Sequence, residues 1–177
     1  MSAAGKEVLD PCCGSRMFWY DKTDPRALFG DIRDEEHVLC DGRTLKIHPD
    51  EQIDFRAIPY ADGAFNLIVF DPPHLRKAGQ ESWMAKKYGK LEVATWRDDL
   101  SAGFLECWRV LAKGGTLIFK WNETQIPLRD VLACFPVSPL FGHTTTHNLK
   151  THWVVFYKPV QETARNPRAL PLLGVGV

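Results

Sequence analysis

The segment Asn66-Leu67-Ile68-Val69-Phe70 contains an apolar run that is followed at once by Asp71-Pro72-Pro73-His74. A strand of Leu, Ile, Val and Phe without polar alternation is typical of a central strand that is buried on both faces of a parallel α/β sheet. Ligands of such sheets bind at the carboxyl ends of the strands. The pattern therefore predicts a parallel sheet with a site at Asp71.

The tetrapeptide at the end of this run suits a planar amino group. Its two prolines remove backbone donors and fix φ, which leaves a stiff turn with one carboxylate and bare carbonyl acceptors. Two N–H groups of a nucleobase could donate to the Asp71 carboxylate and the Pro72 carbonyl while the His74 imidazole stacks on the ring. Prolines also follow strands in plain turns. The tetrapeptide alone leaves both interpretations open.

Composition indicates one globular domain. The 177 residues are 45% hydrophobic and 25% charged, so we expect a domain over residues 1–160 and a poorly ordered tail over 161–177. No apolar stretch approaches the ~20 residues that a membrane span needs, and five scattered cysteines do not form a disulfide framework, which favours the cytoplasm. Because Lys and Arg balance Asp and Glu at 22 each, nucleic-acid binding would require a local basic patch.

The remaining pattern predicts alternating strands and helices. The 75–95 segment has no clean period, and loops of that length are usually functional. The Lys113-Gly114-Gly115 triplet is expected to cap the preceding helix. We expect strands at 6–9, 27–30, 52–56, 66–70 and 116–121, a short helix after the first strand, a hairpin within 38–47, helices at 96–111 and 126–135, and a closing antiparallel hairpin at 140–146 and 153–158 with its turn at 147–150.

Several segments together resemble one enzyme family. The Val8-to-Ser15 sequence VLDPCCGS is similar to the first motif of class I S-adenosylmethionine-dependent methyltransferases, in the amino-methylating branch that carries Asp-Pro-Pro-aromatic after its fourth strand. Asp31 follows Asp10 by 21 residues, where nucleoside binders use an acid for ribose hydroxyls. Residues 54–66 and 109–117 resemble the family's segments before its fourth and fifth strands. The matches span residues 6–158 in the family's order.

The resemblance implies a fold, a cofactor and site residues. The fold would be a doubly wound α/β sheet of seven mostly parallel strands, Rossmann-like, with a C-terminal antiparallel hairpin. The cofactor would be S-adenosyl-L-methionine, and the reaction a direct methyl transfer to an exocyclic amine, most simply N6 of adenine. The implied cofactor-binding residues are Asp10, Pro11, Cys12, Gly14, Asp31, Asp54 and Phe55, and the implied catalytic residues are Asp71, Pro72, Pro73 and His74.

The segment after the tetrapeptide suggests a nucleic-acid substrate, either DNA or RNA. Its cations interleave with two aromatic residues and are opposed only by Glu81, as in a phosphate clamp with stacking side chains. A solvated lysine-rich loop is the simpler alternative. The expected substrate-binding residues are Arg76, Lys77, Trp83, Lys86, Lys87, Tyr88, Lys120 and Asn122, and a partner subunit or homodimer is the expected source of further specificity.

Other functions fit the same residues less completely. A protein glutamine amide or a small-molecule amine could occupy the turn at Asp71, and a catalytically silent cofactor-binding subunit would also have this fold. A dehydrogenase is disfavoured because Cys12-Cys13-Gly14-Ser15 is not the Gly-rich dinucleotide fingerprint. No metal is predicted, since direct methyl transfer needs none and His143, His147 and His152 follow a strand rather than a ligand spacing.

Overall fold

A computed structural model describes residues 5–39, 41–79, 82–144 and 150–161. Most of the expected tail at 161–177, residues 147–149 of the expected closing turn, Gln80 and Glu81 lie outside the described residues. The strands are β1 Val8–Asp10, β2 Ala27–Asp31, β3 Glu35–Val38, β4 Thr44–Ile47, β5 Glu51–Gln52, β6 Phe65–Phe70, β7 Leu111–Asn122, β8 Phe141–Thr144 and β9 Thr151–Tyr157, and the helices are α1 Trp83–Tyr88, α2 Trp96–Val110 and α3 Leu128–Leu132.

Seven strands form one sheet in the order β5-β2-β1-β6-β7-β9-β8. Strands β5, β2, β1, β6 and β7 pair in parallel, whereas β9 is antiparallel to β7 and to β8. The predicted α/β fold with a seven-stranded, mostly parallel sheet is confirmed, and β8 with β9 forms the expected antiparallel pair. The carboxyl ends of β1, β2 and β6 consequently meet at one edge of the sheet.

One face of the sheet carries the main core. Leu9, Ile68 and Phe119 project from neighbouring strands into a cluster that also contains Leu100 and Phe104 of α2. These α2 positions are four residues apart, so they share one face of the helix. Val131 of α3 belongs to the same cluster, and each buried side chain of this size contributes about 1.5 to 3 kcal/mol by its removal from water.

The opposite face is covered by turns instead of a helix. Between β1 and β2 the chain forms turns throughout residues 11–26, so the expected short helix is not formed. Trp19 in this segment packs edge-on against Phe29 of β2, with 4.7 Å between ring centroids. Since α2 and α3 both pack into the main core, helical cover of both faces, as in a doubly wound sheet, is not found among the described residues.

The passage from α2 to β7 differs from the predicted glycine cap. The helix ends at Val110 and the strand begins at Leu111, so Gly114 lies inside β7. Phe65 pairs with Leu111 but Leu67 pairs with Thr116, which places extra β7 residues in a bulge. Gly114 has φ +81°, a conformation that glycine adopts at little cost, and it thereby absorbs the extra residues.

The predicted hairpin after the second strand is also present. Strands β3 and β4 form a separate two-stranded antiparallel sheet in which Glu35 pairs with Ile47. The expected third strand is reduced to β5, and the last helix is shorter than predicted. Among the described helices, none has the length and apolar character needed to cross a bilayer.

Gly103 tests the packing of α2 against the sheet. Alanine is ordinarily favoured over glycine by about 1 kcal/mol within a helix. Here a Cβ atom would overlap the Phe55 ring and lie 3.0 Å from Cζ of Phe70. We therefore expect Gly103→Ala to lower the free energy of unfolding in urea by about 1 to 3 kcal/mol, because overpacking outweighs helix propensity. Ser101→Ala on the same helix is the control, and a Gly103→Ala protein as stable as the wild type would contradict this packing.

Candidate functional site

A cavity of about 260 Å³ lies at the carboxyl ends of the central strands. It is bordered by the turn after β1, the end of β2, the turn after β6, the end of β7 and helix α1. Its lining includes Pro11, Cys12, Gly14, Met17, Phe18, Asp31, Arg33, Phe55, Asp71, Pro73, Lys87, Tyr88 and Lys120. The structure thus brings the segment after β1 and the turn after β6 into one site.

Five of the seven expected cofactor residues line this cavity, namely Pro11, Cys12, Gly14, Asp31 and Phe55. The backbone N–H of Gly14 donates to Oδ2 of Asp31 over 2.9 Å, which ties the turn after β1 to the end of β2. Gly14 has φ +50°, a region that side chains rarely adopt. The turn therefore depends on glycine at this position.

Asp31 is bound by a residue that the sequence analysis did not single out. The Arg33 guanidinium donates from Nε to Oδ1 over 3.0 Å and from Nη2 to Oδ2 over 3.1 Å. Its Nη1 also donates to the Lys86 carbonyl in α1 over 3.0 Å. Arg33 therefore connects the carboxylate at the end of β2 to the helix that borders the cavity. The sequence offered one indication of this contact, since Arg33 follows Asp31 by only two residues.

Asp10 is fully buried and does not line the cavity. Trp19 Nε1 donates to Oδ2 over 2.8 Å, and the Cys12 backbone N–H donates to Oδ1 over 3.2 Å. Burial raises the pKa of Asp10 to about 7, although the hydrogen bond from Trp19 lowers it in part. In this arrangement Asp10 fastens the turn that follows β1, and the expected contact with a cofactor stays a prediction.

Asp54 also lies outside the cavity lining, whereas its neighbour Phe55 contributes to it. Both Asp54 oxygens accept hydrogen bonds from Arg56, and Arg56 Nη1 reaches Asp99 of α2 over 2.8 Å. The Arg56 hydrogen bond lowers the pKa of Asp54. The 54–56 segment thus presents an aromatic ring to the cavity and directs its carboxylate towards α2.

Asp71 and Lys120 form an ion pair at the centre of the site. The β6–β7 register pairs Phe70 with Phe119, so the next residue of each strand is adjacent. The Nζ atom of Lys120 lies 2.5 Å from Oδ2 of Asp71, and the two side chains are 19% and 12% exposed. Burial raises the pKa of Asp71, while the Lys120 charge opposes that rise. Phe18 and Trp153 flank the ammonium, with ring centroids 5.2 and 5.8 Å away.

The other members of the tetrapeptide are less accessible than Asp71. Pro73 lines the cavity, but Pro72 and His74 are buried and do not. The His74 ring packs beside Tyr88 and Trp121, at centroid distances of 5.1 and 6.3 Å. Burial lowers the pKa of His74 to about 4, so its imidazole is neutral near pH 7. Of these two neighbouring rings, Tyr88 lines the cavity and His74 does not.

The expected substrate loop divides into two parts. Lys87 and Tyr88 of α1 reach the cavity, and the Lys87 ammonium lies 5.3 Å from the Trp83 ring centroid. By contrast, the backbone N–H groups of Arg76 and Lys77 both donate to Gln125 Oε1, over 2.7 and 2.8 Å. These two residues are anchored beyond the end of β7 and contribute nothing to the cavity lining.

The remaining two expected substrate residues have structural contacts. Lys86 contributes its carbonyl to Arg33. Asn122 Nδ2 donates to Thr151 Oγ1 over 3.1 Å, and its Oδ1 accepts from Thr124, so it joins the end of β7 to β9 and to the next turn. Neither residue lines the cavity, and their contacts with substrate stay predictions.

Comparison with known proteins supports the fold but does not identify the function. No model of a known protein family matches the chain, and no curated protein matches it. The chain is similar to the crystal structure of the PH0226 protein from Pyrococcus horikoshii OT3, with a TM-score of 0.50, 15% identity, and coverage of 86% of this chain and 81% of that one. That likeness shows the fold.

A second solved structure is more distant. It is described as a "putative s-adenosyl-l-methionine-dependent methyltransferase" from Methanococcus maripaludis, with a TM-score of 0.35 and 17% identity. The similarity covers 63% of this chain and spans 54% of that protein. At this TM-score it adds nothing to the conclusion on the fold.

The burial of Asp10 predicts a pH-dependent stability. Its folded-state pKa of about 7 lies above the ordinary value of 3.8, so the protonated carboxyl stabilises the fold at low pH, and this contribution is lost as pH rises through 7. Asp10→Asn should remove the dependence. In urea unfolding, we expect the wild type to lose up to about 4 kcal/mol relative to Asp10→Asn between pH 4 and 8. Asp98→Asn on the surface of α2 is the control, and a pH-independent difference would contradict the burial of Asp10.

Proposed function

We propose that the protein is an S-adenosylmethionine-dependent N-methyltransferase that acts on the exocyclic amine of adenine in DNA or RNA. The observation that supports this most is the single cavity that contains Gly14, Asp31 and Asp71. In the family that the sequence resembles, the positions of Gly14 and Asp31 serve the cofactor, and the position of Asp71 serves the acceptor amine. A cofactor and an acceptor held in one cavity would be close enough to react.

The residues of the cavity fit the proposed cofactor. Gly14 lets a ligand approach the backbone, the Asp31 carboxylate can accept hydrogen bonds from ribose hydroxyls, and Phe55 offers a flat apolar surface to a base. S-adenosylmethionine, when bound, supplies a methyl carbon activated by a positively charged sulfur. Asp31 pairs with Arg33 and Asp71 pairs with Lys120, so neighbouring cations balance the negative charge of the two carboxylates that line the cavity.

The turn after β6 would orient the acceptor. An exocyclic amine is a poor nucleophile because its lone pair is delocalised into the ring. A hydrogen bond from this amine to the Asp71 carboxylate would hold the nitrogen in position for attack. When the nitrogen gains a carbon it must lose a proton, and the Asp71 carboxylate of this turn can accept that proton.

Stacking would come from α1. Tyr88 lines the cavity and its ring packs against that of His74. A flipped base could therefore stack on Tyr88, while the contact with His74 holds the Tyr88 ring in place. Lys87, the neighbour of Tyr88 in α1, also lines the cavity, and its ammonium could bind a phosphate. A cytoplasmic location, and a partner subunit or second copy that selects the target, belong to this proposal.

The acceptor is tested by labelled methyl transfer. Purified protein would be incubated with S-adenosylmethionine carrying a labelled methyl group and with DNA, ribosomal RNA, transfer RNA or protein fractions. Hydrolysis and mass spectrometry should then find the label in N6-methyladenine. Label found only in methylglutamine or in a small-molecule amine would contradict the nucleic-acid assignment, and the absence of transfer to every fraction would contradict methyl transfer.

Removal of the Asp71 carboxylate should abolish catalysis. We expect Asp71→Ala to reduce kcat by about 100-fold or more, the range found when one preorganised polar group of a reaction site is lost. Cofactor affinity, measured by titration calorimetry, should change little, because Gly14 and Asp31 remain. Asp98→Ala, at an exposed site on α2, is the control. Retention of activity in Asp71→Ala would exclude Asp71 from the reaction.

Lys120 should set the pH range in which Asp71 works. Because the Lys120 charge lowers the pKa of Asp71 against the effect of burial, Lys120→Met should raise that pKa. The carboxylate would then be protonated at higher pH, so we expect the acidic limb of the kcat profile to shift upwards. Lys120→Arg, which keeps the charge, should restore most of the wild-type profile. An unshifted limb in Lys120→Met would show that the ion pair does not control the reaction.

A further inference from the structure

A second cleft, larger than the first cavity, opens beside it. Its volume is about 1040 Å³, and it shares Gly14, Ser15, Met17 and Lys87 with the cavity that contains Asp71. The 15–23 segment, the β3–β4 hairpin and α1 form its walls. A ligand in this cleft would therefore be continuous with a group held in the first cavity, and the cleft exceeds the space that one base requires.

The lining of this cleft is basic although the whole chain is electrically balanced. Its cations are Arg16, Lys22, Arg43, Lys46 and Lys87, and Asp41 is its one carboxylate among the described residues. Asp50 and Glu36, which lie outside the lining, pair with Arg16 and Lys46. A local excess of this kind attracts polyanions even without net charge on the protein.

Both cations of the hairpin wall form ion pairs with neighbouring carboxylates. Arg43 binds Asp41, with Nη2 2.6 Å from Oδ2, and Lys46 Nζ lies 3.0 Å from Oε1 of Glu36. The side chains of Arg43 and Lys46 nevertheless remain 79% and 61% exposed. Both can therefore offer further N–H groups to a ligand.

On the other two walls, Lys22 of the 15–23 segment and Lys87 of α1 have no ion-pair partner among the described residues. The Lys22 ammonium donates to the Ser15 carbonyl over 3.2 Å, and the Lys87 ammonium lies 5.0 Å from the Tyr88 ring centroid. Their charges are thus not neutralised within the fold and are placed to meet anionic groups.

The cleft also exposes flat and apolar groups between its cations. The side chain of Trp83 is 48% exposed and that of Met17 is 52% exposed, and both line the cleft. An exposed aromatic ring beside lysine side chains is typical of surfaces that bind single-stranded nucleic acid, with bases stacked and phosphates paired. An acidic peptide would use the cations but has no comparable need for an exposed indole.

We propose that this cleft binds the single-stranded segment next to the target nucleotide, with phosphates on Lys22 and Lys46 and a base on Trp83. This inference rests on the proposed function, because the strand in the cleft would deliver its adenine into the adjoining cavity. The β3–β4 hairpin, which follows β2, would then be a substrate-binding element built into the methyltransferase domain.

The test compares oligonucleotides of different length on matched variants. Single strands of two and eight nucleotides, each with one adenine, serve as methyl acceptors for the wild type, Lys22→Gln/Lys46→Gln and Trp83→Ala. Lys22 and Lys46 line the cleft but not the first cavity, so their replacement leaves the proposed cofactor site intact. The control double variant, Arg26→Gln/Lys113→Gln, removes two exposed cations at the opposite end of the sheet.

We expect the wild type to have a lower KM for the eight-nucleotide strand than for the dinucleotide. Lys22→Gln/Lys46→Gln should raise the KM of the longer strand about tenfold, with unchanged kcat, and reduce the slope of log affinity against log salt by about 1.4, the value for two lost phosphate contacts. Trp83→Ala should raise the same KM without changing the salt slope. The control variant should behave like the wild type.

The outcomes that overturn this inference differ from those that overturn the proposed function. If the wild type methylates oligonucleotides but the cleft variants keep the KM and salt slope of the wild type, the proposed role of the cleft is wrong and the proposed function is retained. If an acidic peptide binds the wild type more tightly than the eight-nucleotide strand does, and the cleft variants lose that binding, the cleft belongs to a protein partner. If the wild type methylates neither strand, the proposed function fails together with this inference.

Discussion

The parallel pairing of β2, β1, β6 and β7 is the constraint on which the site depends. Each strand ends at the same edge of the sheet, so residues far apart in sequence become neighbours. Asp31, Asp71 and Lys120 meet there although 89 positions separate the first from the last. The main core holds this alignment, because Leu9, Ile68 and Leu117 occupy adjacent positions of three strands and are buried in the same cluster as the apolar face of α2.

Three aspartates near this edge have different partners and therefore different properties. Asp10 is fully buried, and this burial raises its pKa, although the hydrogen bond from Trp19 opposes the rise in part. Asp31 is bound by Arg33, and Asp71 is bound by Lys120. Each carboxylate that lines the cavity is thus matched by a cation, which limits the cost of placing charges in a partly buried site. Asp71 is the one that combines a cation partner with a position at the end of the central strand.

Much of the fold could be predicted from the sequence because strand ends carry their own signals. The apolar run before Asp71 marked a central strand, and glycine or aspartate after β1 and β2 marked their carboxyl ends. These signals depend on neighbouring residues in the chain. They sufficed to place Asp71 at the carboxyl end of a central strand, whereas Gly14 and Asp31 were expected in the same site because the sequence resembles the methyltransferase family.

The rest depends on contacts that no local pattern reveals. Whether Asp54 or Phe55 faces the cavity is decided by an ion-pair network with Arg56 and α2, and whether His74 or Tyr88 faces it is decided by how α1 packs. The segment after β1 forms turns instead of a helix, and within it Trp19 donates a hydrogen bond to Asp10 and packs against Phe29. The second cleft arises from two segments, the β3–β4 hairpin and α1, that are separate in the chain.

We propose that one cavity holds both the nucleoside of the cofactor and the turn at Asp71 that receives the amine. A crystal structure of the protein with S-adenosylhomocysteine would test this proposal. We expect electron density for the ribose beside Asp31 and for the sulfur on the side of the cavity that Asp71 lines. Binding at another place, with Asp71 and Lys120 shut off from the ligand by protein side chains, would contradict it.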